Sequence, residues 1–225
     1  MINHWFISDL HLSHRNILKY CGRTLYMNDF EKSLYQKYVD SGGQNGQGQD
    51  FQVSEESCIR MNHDIIGHIN DRVKKDDILW FLGDIGFGSN WEKQCKEYRD
   101  RIVCETIMFC FGNHDYSDRR DLEWFTKCFD VLDICIFNDG RYITGDDVRW
   151  HHKKNVSMTL CHYPMVSWNR SSKGSWHLHG HVHGKPIQVF PEKRNTFDVG
   201  VDNVYKTFGY YGPVNLSQLK EYFGA

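Results

Sequence analysis

Five short motifs built from metal-binding residue types run through this chain of 225 residues. In order they are Asp9-Leu10-His11, Gly83-Asp84, Gly112-Asn113-His114-Asp115, His162 and Gly180-His181-Val182-His183. Their carboxylate, amide and imidazole groups suit Mn, Fe, Zn or Ni, and the lack of cysteine in the motifs argues against a structural zinc site. Two such ions about 3.5–4 Å apart can hold both the attacking and the leaving oxygen of a phosphate ester. The motifs therefore predict a two-metal site for phosphoester chemistry.

The spacing within the motifs favours shared coordination. Asp9 and His11 are two residues apart, and in an extended segment such residues project to the same side, so one ion can take both. His181 and His183 have the same separation. A carboxylate has two oxygens, so Asp84 can bridge two cations. We therefore expect both ions to lie within reach of one aspartate.

Most of the motifs follow short apolar runs that are typical of buried strands. These runs are residues 5–7, 78–82, 107–111 and 156–161. Ligands of open α/β sheets bind at the carboxyl ends of the strands. We therefore expect the polar side chains that follow the runs to meet at the edge of a sheet.

Helical periodicity separates the apolar runs. We predict helices after the caps Asn28 and Ser54, a third over residues 90–102, and a closing helix over 215–223 with Asn215 as its cap. The expected buried faces are Phe30, Leu34 and Tyr38; Ile59, His63, Ile66, Ile69 and Val73; Trp91, Cys95, Tyr98 and Ile102; and Leu216, Leu219 and Phe223. Alternating strands and helices indicate an α/β fold. An Asp139-Gly140 turn predicts a hairpin between residues 134–137 and 141–143, in a more strand-rich second half.

Length and composition restrict the class of protein. A chain of 225 residues suffices for one sizeable core, so we predict a single domain over residues 1–225. A net charge of −2 lacks the broad positive field of a duplex-binding protein, and a small substrate fits better. The eight cysteines are scattered, the start does not resemble a leader, and no run approaches the roughly 18 apolar residues of a membrane helix. We therefore predict a cytoplasmic protein with no membrane partner.

One segment departs from the alternating pattern. Residues 41–50 are nearly all Gly, Gln and Asn. Such a composition buries too little apolar surface to offset the entropy cost of ordering it, so we predict a flexible loop between two helices. A domain boundary is the alternative, but Asp9 and Asp84 on either side are expected to serve one site.

The ordered set of motifs, from residue 9 to residue 183, resembles the calcineurin-like metallophosphoesterase family. The resemblance implies an αββα sandwich, in which helices flank two mixed β-sheets, around a binuclear centre that hydrolyses phosphomonoesters or phosphodiesters. It also implies the ligands: Asp9, His11, Asp84 and His183 for one metal, and Asp84, Asn113, His162 and His181 for the other. Of the possible divalent ions we expect Mn²⁺ first, with Fe, Zn or Ni as alternatives.

The resemblance further implies a mechanism. A metal-bridging hydroxide would attack the phosphorus in line, because bound cations lower the pKa of water. His114 is not a ligand in this scheme. It would contact a phosphoryl oxygen or protonate the leaving oxygen, which suits an imidazole near neutral pH.

Two departures separate the chain from the protein Ser/Thr phosphatases of the family, which carry Gly-Asp-x-x-Asp-Arg-Gly and Gly-Asn-His-Glu. Phe87 stands where their second Asp orients the catalytic histidine, and Asp115 ends the third motif. We therefore do not expect a protein phosphatase, and the group that orients His114 is left open. Residues 7–17 and 162–169 are closer to the small bacterial and phage phosphoesterases, whose motifs do not fix a substrate.

Two regions are candidates for substrate contacts. His14, Arg15 and Asn16 follow the first motif, and Arg15 suits paired contacts to phosphate oxygens; the alternative is a helix start with one exposed arginine. In the polar loop over 168–176, Trp168 is a candidate for stacking on a base and Arg170 for holding a phosphate. Alternatively, the tryptophans of this loop fill the core beneath the site.

We expect a metal-dependent phosphoester hydrolase that acts on nucleotide-type phosphodiesters or other small phosphoesters. The same motifs leave open a phosphomonoesterase or a nuclease. A protein that keeps the fold only for binding, as the retromer subunit of this fold family does, is a further alternative. Such proteins tend to lose a ligand or the histidine of Gly-Asn-His, whereas here every ligand and His114 are present.

Overall fold

Residues 2–43, 50–115, 122–150, 155–187 and 195–225 are described by the computed structural model. Within these ranges the α-helices are α1 Ile17–Tyr20, α2 Asp29–Asp40, α3 Glu55–Arg72, α4 Trp91–Asp100, α5 Val201–Phe208 and α6 Leu216–Phe223. The strands are β1 His4–Ile7, β2 Ile78–Phe81, β3 Thr106–Cys110, β4 Lys127–Phe129, β5 Val131–Ile136, β6 Tyr142–Thr144, β7 Val156–Cys161, β8 Trp176–His179, β9 Thr196–Asp198 and β10 Val214–Asn215. The segment predicted to be a flexible loop lies largely outside the described residues.

The strands form two mixed sheets of five strands each. The first has the order β10-β1-β2-β3-β4, in which only β10 runs antiparallel to its neighbour. The second has the order β6-β5-β7-β8-β9, with β5 antiparallel to β6 and β7, and with β7, β8 and β9 parallel. The predicted α/β class with two mixed sheets is confirmed, as are the hairpin and the strand-rich second half.

The central strands are continuous hydrophobic runs because they lie between two apolar cores. Leu79 and Phe81 of β2 point into a core shared with α1, α2, α3 and α4. Ile78, Trp80 and Leu82 point the other way, into a core shared with the second sheet. Because successive side chains of a strand face opposite sides, a strand that separates two cores must be apolar at every position.

Cap residues set the predicted helix starts. The side chain of Asn28 accepts a hydrogen bond from the backbone of Glu31, and Glu31 reaches back to the backbone of Asn28. Ser54 caps α3, and Asn215 caps α6 in the same reciprocal way as Asn28 caps α2. These three starts are confirmed, since each cap satisfies a backbone N–H that would otherwise lack a partner.

The predicted phase of two helices was partly wrong. Phe30 of α2 is 70% exposed and Ile59 of α3 is 56% exposed, and His63 also faces solvent. The buried face of α3 instead carries Cys58, Met61, Asn62, Ile65, Ile66 and Ile69. The pattern misled because α3 bears apolar residues on both faces. The predicted faces of α4 and α6 are confirmed.

None of the eight cysteines forms a disulfide. Six are buried, as the apolar runs around several of them predicted. No helix among the described ranges is both long enough and apolar enough to cross a bilayer.

Candidate metal centre

The predicted metal ligands converge at the carboxyl ends of strands from both sheets. Asp9 and His11 follow β1, Asp84 follows β2, and Asn113 follows β3. From the second sheet, His162 follows β7, and His181 and His183 follow β8. The parallel pairing of β1, β2 and β3 brings the first group of loops to one edge of the first sheet, and the parallel pairing of β7 with β8 brings the second group to an edge of the second sheet. The expected meeting of the motifs at a sheet edge is confirmed.

Asp84 lies between the two predicted ligand sets. Its Oδ2 atom is 3.4 Å from Nε2 of His11 and 3.5 Å from Nε2 of His162. Its other oxygen, Oδ1, accepts a hydrogen bond of 2.8 Å from the backbone N–H of His114. One carboxylate thus faces an imidazole of each set.

The first set gathers around Asp9. Its Oδ1 is 4.0 Å from Nε2 of His11 and 3.9 Å from Nε2 of His183, and the backbone N–H of His181 donates to the carboxylate. His11 is buried, and neither of its ring nitrogens makes a hydrogen bond to any described residue. A buried imidazole without a donor or acceptor is costly, so a cation here would satisfy it.

The second set gathers around Asn113. Its Oδ1 is 3.0 Å from Nε2 of His162 and 2.8 Å from Nδ1 of His181. His162 Nδ1 lies 2.7 Å from the carbonyl oxygen of Leu82, and donation to that carbonyl leaves Nε2 as a lone pair facing the amide oxygen. Two acceptors that face each other at this distance fit a cation placed between them.

The backbone at five of the predicted ligands adopts the left-handed conformation, which is rare for residues other than glycine. The φ angles are 58° at Asp9, 50° at His11, 59° at Asp84, 73° at His181 and 52° at His183. The prediction that the two i, i+2 pairs lie on extended segments is therefore wrong. Strained backbone of this kind clusters at functional sites, where the surrounding structure enforces it.

Glycines let the loops approach one another. A Cβ atom on Gly180 would collide with the side chains of Ser8 and Asp9, and one on Gly112 would collide with the carboxylate of Asp84. The first and last motifs thus touch through Gly180, and the second and third through Gly112.

The electrostatics favour positive charge at the centre. Burial, helped by the nearby carboxylates of Asp9 and Asp115, raises the pKa of Asp84 to about 8. Burial also raises the pKa of Asp9, and it holds the pKa of His11 well below its usual value, as do the cationic neighbours His183 and Arg23. The imidazole of His11, kept neutral by burial, and carboxylates that are costly to ionise form a site that a divalent cation would stabilise.

Asp115, which in the sequence stands out only as a departure from the protein phosphatases, has a structural role that was not predicted. Its carboxylate accepts hydrogen bonds from the backbone N–H groups of Asp84, Gly112 and Ile85 and from the indole of Trp91. Asp115 therefore fixes the second motif against the third.

A buried ion pair behind the centre was also missed. Arg23 forms hydrogen bonds of 2.8 and 2.9 Å with the two carboxylate oxygens of Asp202, and it donates to the backbone carbonyls of Asp9 and Leu10. Asp202 in turn accepts a hydrogen bond of 2.7 Å from Nδ1 of His183. Burial alone would lower the pKa of His183, but the hydrogen bond with Asp202 outweighs burial and raises the pKa to about 11. A carboxylate at Nδ1 also fixes the orientation of the ring. Neither residue belongs to a motif, so no local signal marked them.

His14, Arg15 and Asn16 line a cavity beside the centre, together with His114. Phe87 lines it too and stacks on His14, with the ring centroids 3.9 Å apart. The ring of His114 has its centroid 5.1 Å from that of His11 and 5.5 Å from that of Phe87. These aromatic contacts position His114 beside the predicted ligands, with Phe87 near it in place of a carboxylate.

The structure does not bring Trp168 or Arg170 into this cavity. The indole of Trp168 is buried, lies against His177 and donates a hydrogen bond to the carbonyl of Ser175. A buried ring offers no face for a base, which argues against stacking on Trp168 and favours the alternative that the tryptophans of this loop fill the core. Trp176 is likewise buried, against Phe223.

The chain also matches a known protein family. Residues 2–185 match the family model described as calcineurin-like phosphoesterase. The chain therefore belongs to the calcineurin-like phosphoesterase family, and the family supports metal-dependent phosphoester hydrolysis.

Individual relatives extend over nearly the whole chain. The uncharacterized protein MJ1445 of Methanocaldococcus jannaschii is 27% identical over 218 residues, which are 96% of this chain and 88% of that protein. The crystal structure of the protein of unknown function AQ665 from Aquifex aeolicus superposes with a TM-score of 0.56 at 16% identity, covering 99% of this chain and 100% of that one. At this identity the second likeness shows the fold alone.

Proposed function

We propose that this protein is a binuclear-metal-dependent phosphodiesterase for nucleotide-type or other small phosphoesters. One observation carries the proposal: Oδ2 of Asp84 lies 3.4 Å from Nε2 of His11 and 3.5 Å from Nε2 of His162. A carboxylate that lies between two sets of nitrogen and oxygen donors can bridge a pair of cations.

Each metal would have four protein ligands, with Asp84 shared. Asp9, His11 and His183 complete one set, and Asn113, His162 and His181 complete the other. We propose Mn²⁺, because this mixture of carboxylate, amide and imidazole donors suits it. The same donors can also bind Fe, Zn or Ni, which are the alternatives. When bound, two such ions would activate water and neutralise charge on the phosphoryl group.

His114 would serve the reaction without binding metal. Its backbone N–H is held by Asp84, and its side chain lines the cavity. From this position the imidazole would contact a phosphoryl oxygen or give a proton to the leaving oxygen. His14, Arg15 and Asn16, which line the same cavity, are the proposed substrate contacts.

Metal-loaded protein should hydrolyse the p-nitrophenyl esters of phosphate and of phosphodiesters when Mn²⁺ is added. The diester-to-monoester ratio of kcat/KM gives the preference. The enzyme proposal would be refuted if protein loaded with two metals turned over neither these esters nor a panel of nucleotides.

Two substitutions separate the proposed roles. Asp84→Asn should lower metal occupancy, measured by elemental analysis, because an amide has one oxygen and no charge with which to bridge two cations. His114→Ala should keep both metals and lower kcat by roughly 10²–10⁴-fold, the usual contribution of a general acid. Equal metal loss in both variants would contradict the assignment.

We infer a cytoplasmic location from the cysteines. Eight cysteines that form no disulfide, six of them buried, are typical of a reducing compartment.

A further inference from the structure

The cavity beside the candidate metal centre is larger than a phosphate group needs. It has a volume of about 780 Å³, and its walls include His11, His114 and His183. Pockets that hold whole drug-sized molecules measure about 300–1,000 Å³. The organic part of a substrate therefore has room inside the protein.

One part of the cavity wall is apolar. Ile17, Tyr20, Val53 and Phe87 contribute to it. Phe87 is braced by its stack on His14, at an interplanar angle of 9°. This wall suits the sugar or ring of an organic phosphoester.

The same cavity carries an excess of positive charge. Apart from His183, which pairs with Asp202, its described lining contains three cations, Arg15, Lys19 and Lys185, but only one carboxylate, that of Asp50. Asp50 forms a salt bridge with Lys19, in which Nζ of Lys19 lies 2.6 Å from Oδ1 of Asp50. Arg15 and Lys185 are exposed, and no carboxylate among the described residues pairs with either. This local excess of two charges stands against a chain whose net charge is −2.

We propose that Arg15 and Lys185 bind a second anionic group of the substrate, so that the preferred substrates are organic phosphoesters bearing a further phosphate. This inference rests on the proposed function, and it adds a substrate class to it. The candidate metal ligands and His114 would bind the reacting phosphate. The guanidinium of Arg15 and the ammonium of Lys185 would bind the additional phosphate. Charge-assisted hydrogen bonds of this kind are stronger than hydrogen bonds between neutral groups, and an arginine can donate two of them side by side to one phosphate.

Matched substrate pairs test the proposal. Adenosine 5′-monophosphate is compared with adenosine 3′,5′-bisphosphate, and the dinucleotide ApA with its 5′-phosphorylated form, following cleavage of the internal diester in the second pair. We expect kcat/KM to be roughly tenfold or more higher for the member with the extra phosphate, since hydrogen bonds to charged groups contribute about that much. The first pair represents a free nucleotide and the second a short strand, so the pair with the larger ratio identifies the source of the second phosphate.

The double variant Arg15→Gln with Lys185→Gln should bring both ratios close to one. Lys127→Gln, an exposed lysine on β4 that does not line the cavity, is the matched control and should leave the ratios unchanged. If the double variant lowers kcat/KM equally for both members of a pair, the two cations contact the reacting phosphate, and the proposal fails. It also fails if the wild-type ratios are close to one.

A binding measurement keeps this proposal separate from the enzyme proposal. If Mn-loaded protein hydrolyses none of these compounds, the proposed function fails, but the bisphosphate should still raise the unfolding temperature more than the monophosphate does. That difference should vanish in the double variant. Equal shifts by the two nucleotides would overturn the second-anion site whatever the activity.

Discussion

Asp202 acts on the candidate metal centre through His183. It accepts the Nδ1 hydrogen bond of that imidazole and is itself held by the buried guanidinium of Arg23. The side chain of Arg23 also reaches the backbone carbonyls of Asp9 and Leu10. One ion pair thus fixes the ring of a ligand in the last motif and the backbone of the first motif together.

Asp202→Asn should weaken both folding and metal binding. The amide oxygen still accepts from His183, but the charge of Arg23 is left buried without its partner, which costs about 3–5 kcal/mol in free energy of unfolding. Loss of such outer-sphere support typically lowers metal affinity by about 10–100-fold. Urea unfolding and Mn²⁺ titration measure the two effects. Asp71→Asn, at an exposed position on α3, is the control, and equal behaviour of the two variants would show that the ion pair does not support the site.

The candidate metal ligands could be recognised from the sequence, whereas the residues behind them could not. Each candidate ligand lies in a short motif, and metal coordination restricts both residue type and local spacing. Arg23 and Asp202 are 179 positions apart, and they meet only because the chain folds. The left-handed backbone at Asp9 and His11 was also not predicted, because a separation of two residues does not by itself distinguish a turn from a strand.

At the scale of elements, prediction succeeded where a local interaction fixes the structure. Asn28, Ser54 and Asn215 cap helices through their own neighbours, so the cap is visible in the sequence. β4 and β9 have three residues each and β10 has two, and such short segments carry no period of their own. Their strand conformation comes from pairing with longer neighbours.

Glu31 joins the starts of α2 and α3. Its buried carboxylate accepts hydrogen bonds from the backbone N–H groups of Asn28 and Ser54 and from the hydroxyl of Ser57. Burial would raise the pKa of Glu31, but these hydrogen bonds outweigh it and hold the pKa below its usual value. The ionised form is therefore favoured by folding, and this stability is present at neutral pH and is lost as the pH falls through the lowered pKa.

Glu31→Gln should destabilise the protein by about 1–3 kcal/mol at pH 7. The carboxylate accepts three hydrogen bonds, and the substitution replaces one of its oxygens with an NH₂ group, which can only donate. The difference from wild type should shrink as the pH falls below about 4.5, where the unfolded carboxyl becomes protonated. Urea unfolding at pH 7, 4 and 3 follows this change. Glu97→Gln, on the exposed side of α4, should show little difference at any of these pH values; a Glu31→Gln difference independent of pH would contradict the assigned role.

At the scale of the whole molecule, the candidate metal centre joins the two sheets. Asp9, Asp84 and Asn113 come from loops of the first sheet, and His162 and His183 come from loops of the second. Metal bound there would therefore stabilise the packing of one sheet on the other rather than a single loop.

Metal removal should lower the unfolding temperature of the entire molecule. A ligand that binds only the folded state adds about 4 kcal/mol when present at about 1,000 times its Kd. Calorimetry with and without a chelator measures the shift, and both forms should unfold in one transition. Separate transitions for two parts of the chelated protein would show that the sheets do not depend on each other.

The charge distribution predicts a weak response to salt. The chain has a net charge of −2, and its cationic excess at the cavity amounts to two side chains, Arg15 and Lys185. For single strands, the logarithm of affinity falls with the logarithm of salt concentration by about 0.7 per phosphate neutralised. Arg15 and Lys185 are proposed to bind one phosphate together, so the slope should be roughly −0.7. A protein that binds long DNA through contacts to about 6–10 phosphates loses about 10³–10⁵-fold in affinity between 50 and 200 mM salt. We therefore expect the KM for a short 5′-phosphorylated oligonucleotide to rise less than tenfold over this range. A steeper dependence would mean that the backbone of a longer strand is bound beyond the cavity, and it would favour a nuclease over an enzyme for small phosphoesters.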